Sequence, residues 1–333
     1  MNHKHLQFIC TEMLLGSTMG VATRIYGSRG GSLMWQVNTT NGSYAIKQLA
    51  PVIDLKSERI VTKYELTETI ACRFTQQGIP AVSALEKSGK HLIIIENTGY
   101  LVYPWVEGNT LGRNEISEVH AIKIAEVVAK LHAINMSIPE IEPPRFDIHT
   151  NDSIVKAIDR ALSFKCSFAA NLKEKQSLIL SVNDSYLAAI PALKEHTVVT
   201  HGDLDQLNVL WDKAGQPILI DWESARKLNP TREIVRTSLS WSGIGSENFS
   251  LPIYTHMLRT YNQSNGILHI NLLNAALNVF FGSMINWLLY NIEPACSGDA
   301  PEERDTAIKE VNSTVLMIER LNMLIPTLLK IHE

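Results

Sequence analysis

At 333 residues the chain is too long for one ordinary compact core and long enough for two lobes around a cleft. Hydrophobic residues at 45% and charged residues at 19% exclude a disordered chain and describe a globular one. A net charge of -4 gives no basic footprint for nucleic acid. Met1–Cys10 carries charged and polar groups where a signal peptide needs an unbroken apolar run, so none is expected there.

From Thr18 to Leu49, β-branched and aromatic runs alternate with turn signals, and Asn41-Gly42 predicts a hairpin between Trp35–Thr40 and Tyr44–Leu49. Ser57–Gln77 predicts a helix capped by Ser57 and stopped by Gly78. Val82–Leu85 and His91–Glu96 predict two further strands, and Tyr100–Val106 an extended stretch ending at Gly108. Strands, one helix, then strands describe a small α+β lobe. Beyond it, Ile116–Ile134, Ile154–Phe164, Leu172–Ile190, Leu251–Tyr261, Asn271–Ile292 and Glu302–Leu329 predict helices around one short β segment, Thr197–Ala225. The domain break therefore falls at 104–108, between an N-terminal lobe of residues 1–103 and a C-terminal lobe of residues 109–333. Residues Pro139–Pro144 read as a surface loop, and no internal repeat or low-complexity tract is present.

Leu272–Tyr290 approaches the length that spans a bilayer, but Asn274, Asn278 and Asn286 recur in it at helical spacing. The segment reads as an amphipathic or buried helix, and no membrane partner is expected. The asparagines are read as a helix-packing seam or solvated face, with lining of an acceptor cleft as the sharper alternative. The cysteines, Cys10, Cys72, Cys166 and Cys296, form no C-x-x-C pair and predict reduced thiols in a cytoplasmic protein.

The chemically informative stretch is His201-Gly-Asp-Leu-Asp-Gln-Leu-Asn208, between apolar runs, followed by Ile220-Asp-Trp-Glu223. Phosphoryl transfer needs a carboxylate to take the proton of the attacking hydroxyl, and Asp203 suits that role. It needs hard oxygen ligands for Mg²⁺, which Asn208 and Asp221 offer, and an N-terminal lysine for the phosphates, which Lys47 offers. His201 belongs to the same loop and is expected to hold it through hydrogen bonds. Alone, each of these residues would read as a turn former or a strand-edge lysine; it is their spacing together that points to chemistry.

These two motifs resemble the catalytic and metal motifs of the aminoglycoside phosphotransferase and choline-kinase-like family. The resemblance implies an α+β, protein-kinase-like bilobal fold with an antiparallel-sheet N-lobe, a mainly helical C-lobe and ATP between them. It implies Asp203 as catalytic base, Asn208 and Asp221 as Mg²⁺ ligands, and Lys47 as the phosphate-binding lysine. Lys47 would pair with an acid on the first main helix, Glu65 first, with Glu58 and Glu68 as fallbacks. Tyr103–Gly108 resembles the adenine-binding hinge, with the Pro104 carbonyl and the Val106 N–H as its hydrogen-bonding groups. Gly30-Gly31-Ser32 resembles the loop that covers the phosphates. Gly202 stands where protein kinases carry arginine, and no Asp-Phe-Gly or Ala-Pro-Glu follows. Asn229–Glu233 departs from the acidic ending common among drug-modifying members. The implied reaction moves the γ-phosphoryl group of ATP to a small-molecule hydroxyl, aminoglycoside-, choline- or sugar/amino-alcohol-like. A catalytically weak nucleotide-binding scaffold and a kinase of protein hydroxyls are the alternatives. Acceptor identity, ATP against GTP and oligomeric state stay open at this level.

Overall fold

The computed structural model describes residues 1–25, 31–244, 248–298 and 301–332. The chain opens with helix α1 (His3–Glu12), whose first turn is capped by the Asn2 side chain accepting from Lys4 N–H at 2.9 Å. Leu6, Ile9 and Cys10 recur on one side of α1 and enter a core with Leu15, Val37, Ile46, Tyr100 and Val102.

Strands β1 (Thr23–Ile25), β2 (Leu33–Thr39) and β3 (Gly42–Gln48) follow, then helix α2 (Glu58–Gln76), β4 (Ile93–Ile95) and β5 (Thr98–Pro104). The five strands form one antiparallel sheet in the order β1-β2-β3-β5-β4. The hairpin forms where Asn41-Gly42 predicts one, but its two-residue turn is Thr40-Asn41, one residue earlier, and Gly42, at φ +143°, opens β3 opposite Thr39. Period-two alternation then divides the sheet faces. Ile46 and Val102 pack with α1, whereas Leu49 and Leu101 pack with Tyr64 of α2. Lys47 lies two residues from Leu49 and opposite Leu101, on the α2 face. Gly78, at φ +81°, closes the end of α2.

Val82–Leu85 does not form a strand of this sheet. Ala81 instead bridges Leu219 in parallel, Val82 N–H donates to the Leu219 carbonyl, and Leu85 N–H donates to the Val102 carbonyl. Its apolar residues fasten the later β segment rather than extend the sheet. The strand expected over His91–Glu96 shortens to β4, and the remaining strand is β1.

Beyond lie α3 (Glu118–Ile134), α4 (Asn151–Ser163), α5 (Ala169–Glu174), α6 (Gln176–Leu193), β6 (Val198–Thr200), β7 (Val209–Trp211), β8 (Pro217–Leu219) and β9 (Arg226–Leu228). Helices α7 (Pro230–Trp241), α8 (Leu251–Gln263), α9 (Leu273–Ser297) and α10 (Pro301–His332) complete the described chain. The helix expected over Leu172–Ile190 is two, parted at Lys175. Strands β7 and β8 pair antiparallel, and β6 pairs with β9.

The described chain divides into two compact units that are not contiguous in sequence. The first comprises Met1–Lys123, Ser137–Ile141 and Thr200–Arg226, so the β7–β8 hairpin groups with the five-stranded sheet. The second comprises Ile124–Met136, Glu142–Val199 and Lys227–Glu333 and is helical. In it, α9 packs against α10, α6 and α7. Residues Ile270–Ser297 are long and apolar enough to cross a membrane, yet Leu277, Val279, Phe281, Ile285 and Leu288 of that stretch are buried among helices.

Candidate active site

The loop from Thr200 to Asn208 is held at both ends by backbone pairing. Trp211 and Asn109 exchange N–H to carbonyl bonds of 2.9 and 3.1 Å, and Ile220 N–H donates to the Asn208 carbonyl at 3.0 Å. His201 is fully buried, and its Nε2 lies 2.9 Å from the Ile220 carbonyl. A carbonyl only accepts, so that nitrogen carries the proton. The ring also packs on Trp222, 4.6 Å between centroids. Arg226 Nη2 donates to the Gly202 carbonyl at 3.0 Å, and Asp205 caps the short turn by accepting from Leu207 N–H at 2.9 Å. Asp205 is thus a local turn former.

Asp203 and Asn208 meet. Asn208 Nδ2 donates to the Asp203 carbonyl at 2.8 Å and to Asp203 Oδ2 at 3.3 Å. Both partners are oxygens, which fixes the amide orientation and turns Asn208 Oδ1 away from Asp203.

Asp221 follows β8 in the left-handed region, φ 61° and ψ 64°, a conformation that costs a non-glycine residue about 1–2 kcal/mol. The turn it makes sends Trp222 inward, 1% exposed, to stack on Phe74 of α2 with centroids 5.4 Å apart. It leaves the Asp221 and Glu223 carboxylates beside Lys47 Nζ, at 3.0 and 2.5 Å. Burial alone would lower the Lys47 pKa, but the charges of Glu223 and then Asp221 overcome it and hold the ammonium above the ordinary lysine range. Glu223 was not singled out from the sequence, although its place two residues beyond Asp221 was the available signal.

The expected Lys47–Glu65 pair is not formed. Glu65 accepts from the backbone N–H groups of His91 at 2.7 Å and Leu92 at 3.1 Å, tying α2 to the start of β4. Glu68, the next acid of α2, is 1% exposed and feels the charge of Lys47 only as a minor influence. It accepts from Ala84 N–H and from the Tyr103 hydroxyl, both at 2.7 Å. Burial raises the Glu68 pKa against those two bonds, and it raises that of Tyr103 well above the usual phenol.

Ser32 accepts from Ala50 N–H at 3.1 Å, so its hydroxyl pins the loop before β2 to the end of β3. Gly31 has φ +77°, and Gly30 lies outside the described residues. Pro104 pairs with Tyr44 at the end of the ladder, Trp105 N–H donates to the Ser43 carbonyl, and Val106 follows. Asn229–Glu233 opens α7, with Asn229 as its N-cap. Asn229 Oδ1 accepts from Thr231 and Arg232 N–H, and Glu233 is buried against His132 Nε2 at 3.2 Å. Of the α9 asparagines, Asn274 and Asn278 bond each other, and Asn286 reaches Asp147 at 3.4 Å.

A family model described as the phosphotransferase enzyme family (APH) matches residues 28–261, which include every site residue above. The chain belongs to that family. Solved structures with this phosphotransferase's fold include a spectinomycin phosphotransferase, APH(9)-Ia, in complex with ADP and spectinomycin. It has a TM-score of 0.69 at 12% identity and covers 97% of this chain and 99% of its own. The amicoumacin kinase hAmiN, in complex with AMP-PNP, Ca²⁺ and Ami, gives 0.64 at 14%, covering 94% and 96%. The choline kinase LicA from Streptococcus pneumoniae gives 0.57 at 14%, covering 95% and 99%. No curated protein sequence matches the chain. The kinase-like α+β fold expected from the motifs is thus the fold of the phosphotransferase.

Proposed function

We propose that this phosphotransferase moves the γ-phosphoryl group of ATP to a hydroxyl of a small molecule, with Asp203 as base. The observation that carries the reading is the convergence, within one compact unit, of a buried Lys47 with Asp221 and Glu223, alongside the Asp203–Asn208 pair. Lys47 grips the phosphates, and Gly31 and Ser32 border them. The Pro104 carbonyl and Val106 N–H hold adenine, so residues 104–108 act as the hinge between a lobe of residues 1–103 and one of residues 109–333.

The donor set fits Mg²⁺. Among the described residues no group of three or more His, Cys, Asp or Glu could hold a metal ion by itself. Mg²⁺ is ordinarily bound through one or two carboxylates together with phosphate oxygens and water, and Asn208 Oδ1 with Asp221 supplies such a partial shell. Bound there, Mg²⁺ would neutralise charge developing on the phosphates. Asp203, steadied by the Asn208 amide, orients the acceptor hydroxyl and takes its proton as the new P–O bond forms. His201 acts on the loop and not on the substrate, through its bond to Ile220.

Acceptors of the structural neighbours are spectinomycin, amicoumacin and choline, and we place this acceptor in the same broad class of hydroxyl-bearing small molecules, met in the cytoplasm. The test is Mg²⁺-dependent ADP release against a panel of aminoglycosides, amino alcohols and sugars, with Asp203→Asn alongside. Acceptor-stimulated release that falls roughly 10²- to 10⁴-fold in the variant is expected. Turnover within a few-fold of wild type would remove Asp203 from its role.

A further inference from the structure

Cys166 and Cys296 are 130 residues apart in sequence, one in the turn between α4 and α5, the other in the last turns of α9. The fold brings them together: Cys166 Sγ–H donates to Cys296 Sγ across 2.8 Å. That separation is less than an ångström beyond the covalent disulfide length of about 2.05 Å, so the two side chains already point at one another. A second contact joins the same region, since Arg160 of α4 pairs with Glu293 of α9 at 3.2 Å. Both thiols are partly exposed and open to a small oxidant, whereas Cys10 is buried in the α1 core.

We propose that Cys166 and Cys296 are a site of covalent modification, closing to an intramolecular disulfide when the protein meets a peroxide. One thiolate attacks a peroxide oxygen and becomes a sulfenic acid as the O–O bond breaks and water, or an alcohol from an alkyl peroxide, leaves. The second thiol displaces the sulfenic hydroxyl as water, forming the S–S bond. Two electrons pass from sulfur to the peroxide, and both thiol protons end in the products. The bond staples the end of α9 to the α4–α5 turn and closes a loop that contains α5 to α8. Since α9 packs on α6, α7 and α10, the staple restrains the helical unit. The proposal is independent of the acceptor and of the reaction at Asp203.

The test uses the full chain, reduced, freed of reductant and exposed to hydrogen peroxide. Titratable thiols under denaturing conditions should fall from four to two. The intact mass should drop by two hydrogens, and a peptide map without reductant should show one link, between Cys166 and Cys296. The melting temperature should rise by roughly 5–10 °C, reversibly on adding a dithiol, as expected for a cross-link closing a long loop. Cys166→Ser or Cys296→Ser should abolish the link, and Cys72→Ser should leave it. Oxygen added to either sulfur without a link, a link between two chains, or an oxidised form that melts no higher would each overturn the proposal. The wild-type map decides the pairing even where a serine variant folds poorly.

Discussion

Gly202→Ala perturbs the loop that carries Asp203 without adding or removing a charge, although the new Cβ would also lie 3.0 Å from Arg226 Nε. Gly202 stands between His201 and Asp203 at φ +78°, and a Cβ there would lie 2.3 Å from the Ser224 carbonyl oxygen. Real Cβ contacts essentially never fall below 3.0 Å, so the loop or the carbonyl must retreat by about 0.7 Å. The left-handed conformation adds about 1–2 kcal/mol for any residue with a Cβ. A displacement near one ångström at a reacting group costs on the order of 10²-fold in rate, and Asp203 is the adjoining residue. Acceptor-dependent ADP release should therefore show kcat down about 10²-fold, with a lower melting temperature. Gly78→Ala is the matched control, because Gly78 has φ +81° but nothing within 4 Å of its Cβ position. It should lose only the conformational part of the stability and keep its turnover. Equal turnover in Gly202→Ala and Gly78→Ala would refute the reasoning.

Two acids on α2 should separate into different roles. Burial raises the Glu68 pKa from its ordinary 4.5, so its contribution to stability is fully present below that value and is lost as pH rises toward the folded pKa. Wild type should lose stability relative to Glu68→Gln from about pH 4.5 upward, measured by urea unfolding at several pH values; a difference that does not change with pH would refute this. Glu65→Ala strands the His91 and Leu92 N–H groups and should cost about 1–3 kcal/mol of stability. Its KM for ATP should stay within a few-fold of wild type, because Lys47 keeps both of its carboxylates; a large rise in that KM would return Glu65 to the phosphate site.

Local chemistry made some elements readable and left others ambiguous. Asn41-Gly42 marks its hairpin to within one residue, since the turn is Thr40-Asn41 and Gly42 supplies the positive φ that opens β3, and the limits of α2 fall within a residue of Ser57–Gln77. The Val82–Leu85 run has strand composition, but its hydrogen bonds go to Leu219 and Val102, and composition does not encode the partner. Helix α7 carries a legible start in the sequence, Asn229 as cap followed by Pro230. Glu65 and Glu68 lie three residues apart, about 60° around the helix, so periodicity gives them nearly the same face. What separates them is which donors surround each carboxylate: two N–H groups at the start of β4 for Glu65, Ala84 and Tyr103 for Glu68. Those donors come from other segments, beyond the reach of a local pattern.

The charge count at Lys47 explains why the lysine and the two acids after β8 belong to one device. One ammonium faces two carboxylates, so the cluster carries an excess of negative charge where Lys47 is 6% exposed. The carboxylates themselves stay open to solvent, Asp221 at 44% and Glu223 at 27% side-chain exposure, so water screens part of that excess. On the proposed function, Mg²⁺ held by Asp221 would offset part of that charge. An aspartate at φ 61° is held there by the ion pair on one side and by Trp222 packed on Phe74 and His201 on the other. The stacking that anchors Trp222 to α2 therefore also aims the Asp221 and Glu223 carboxylates at Lys47, which joins the position of the helix to that of the cluster.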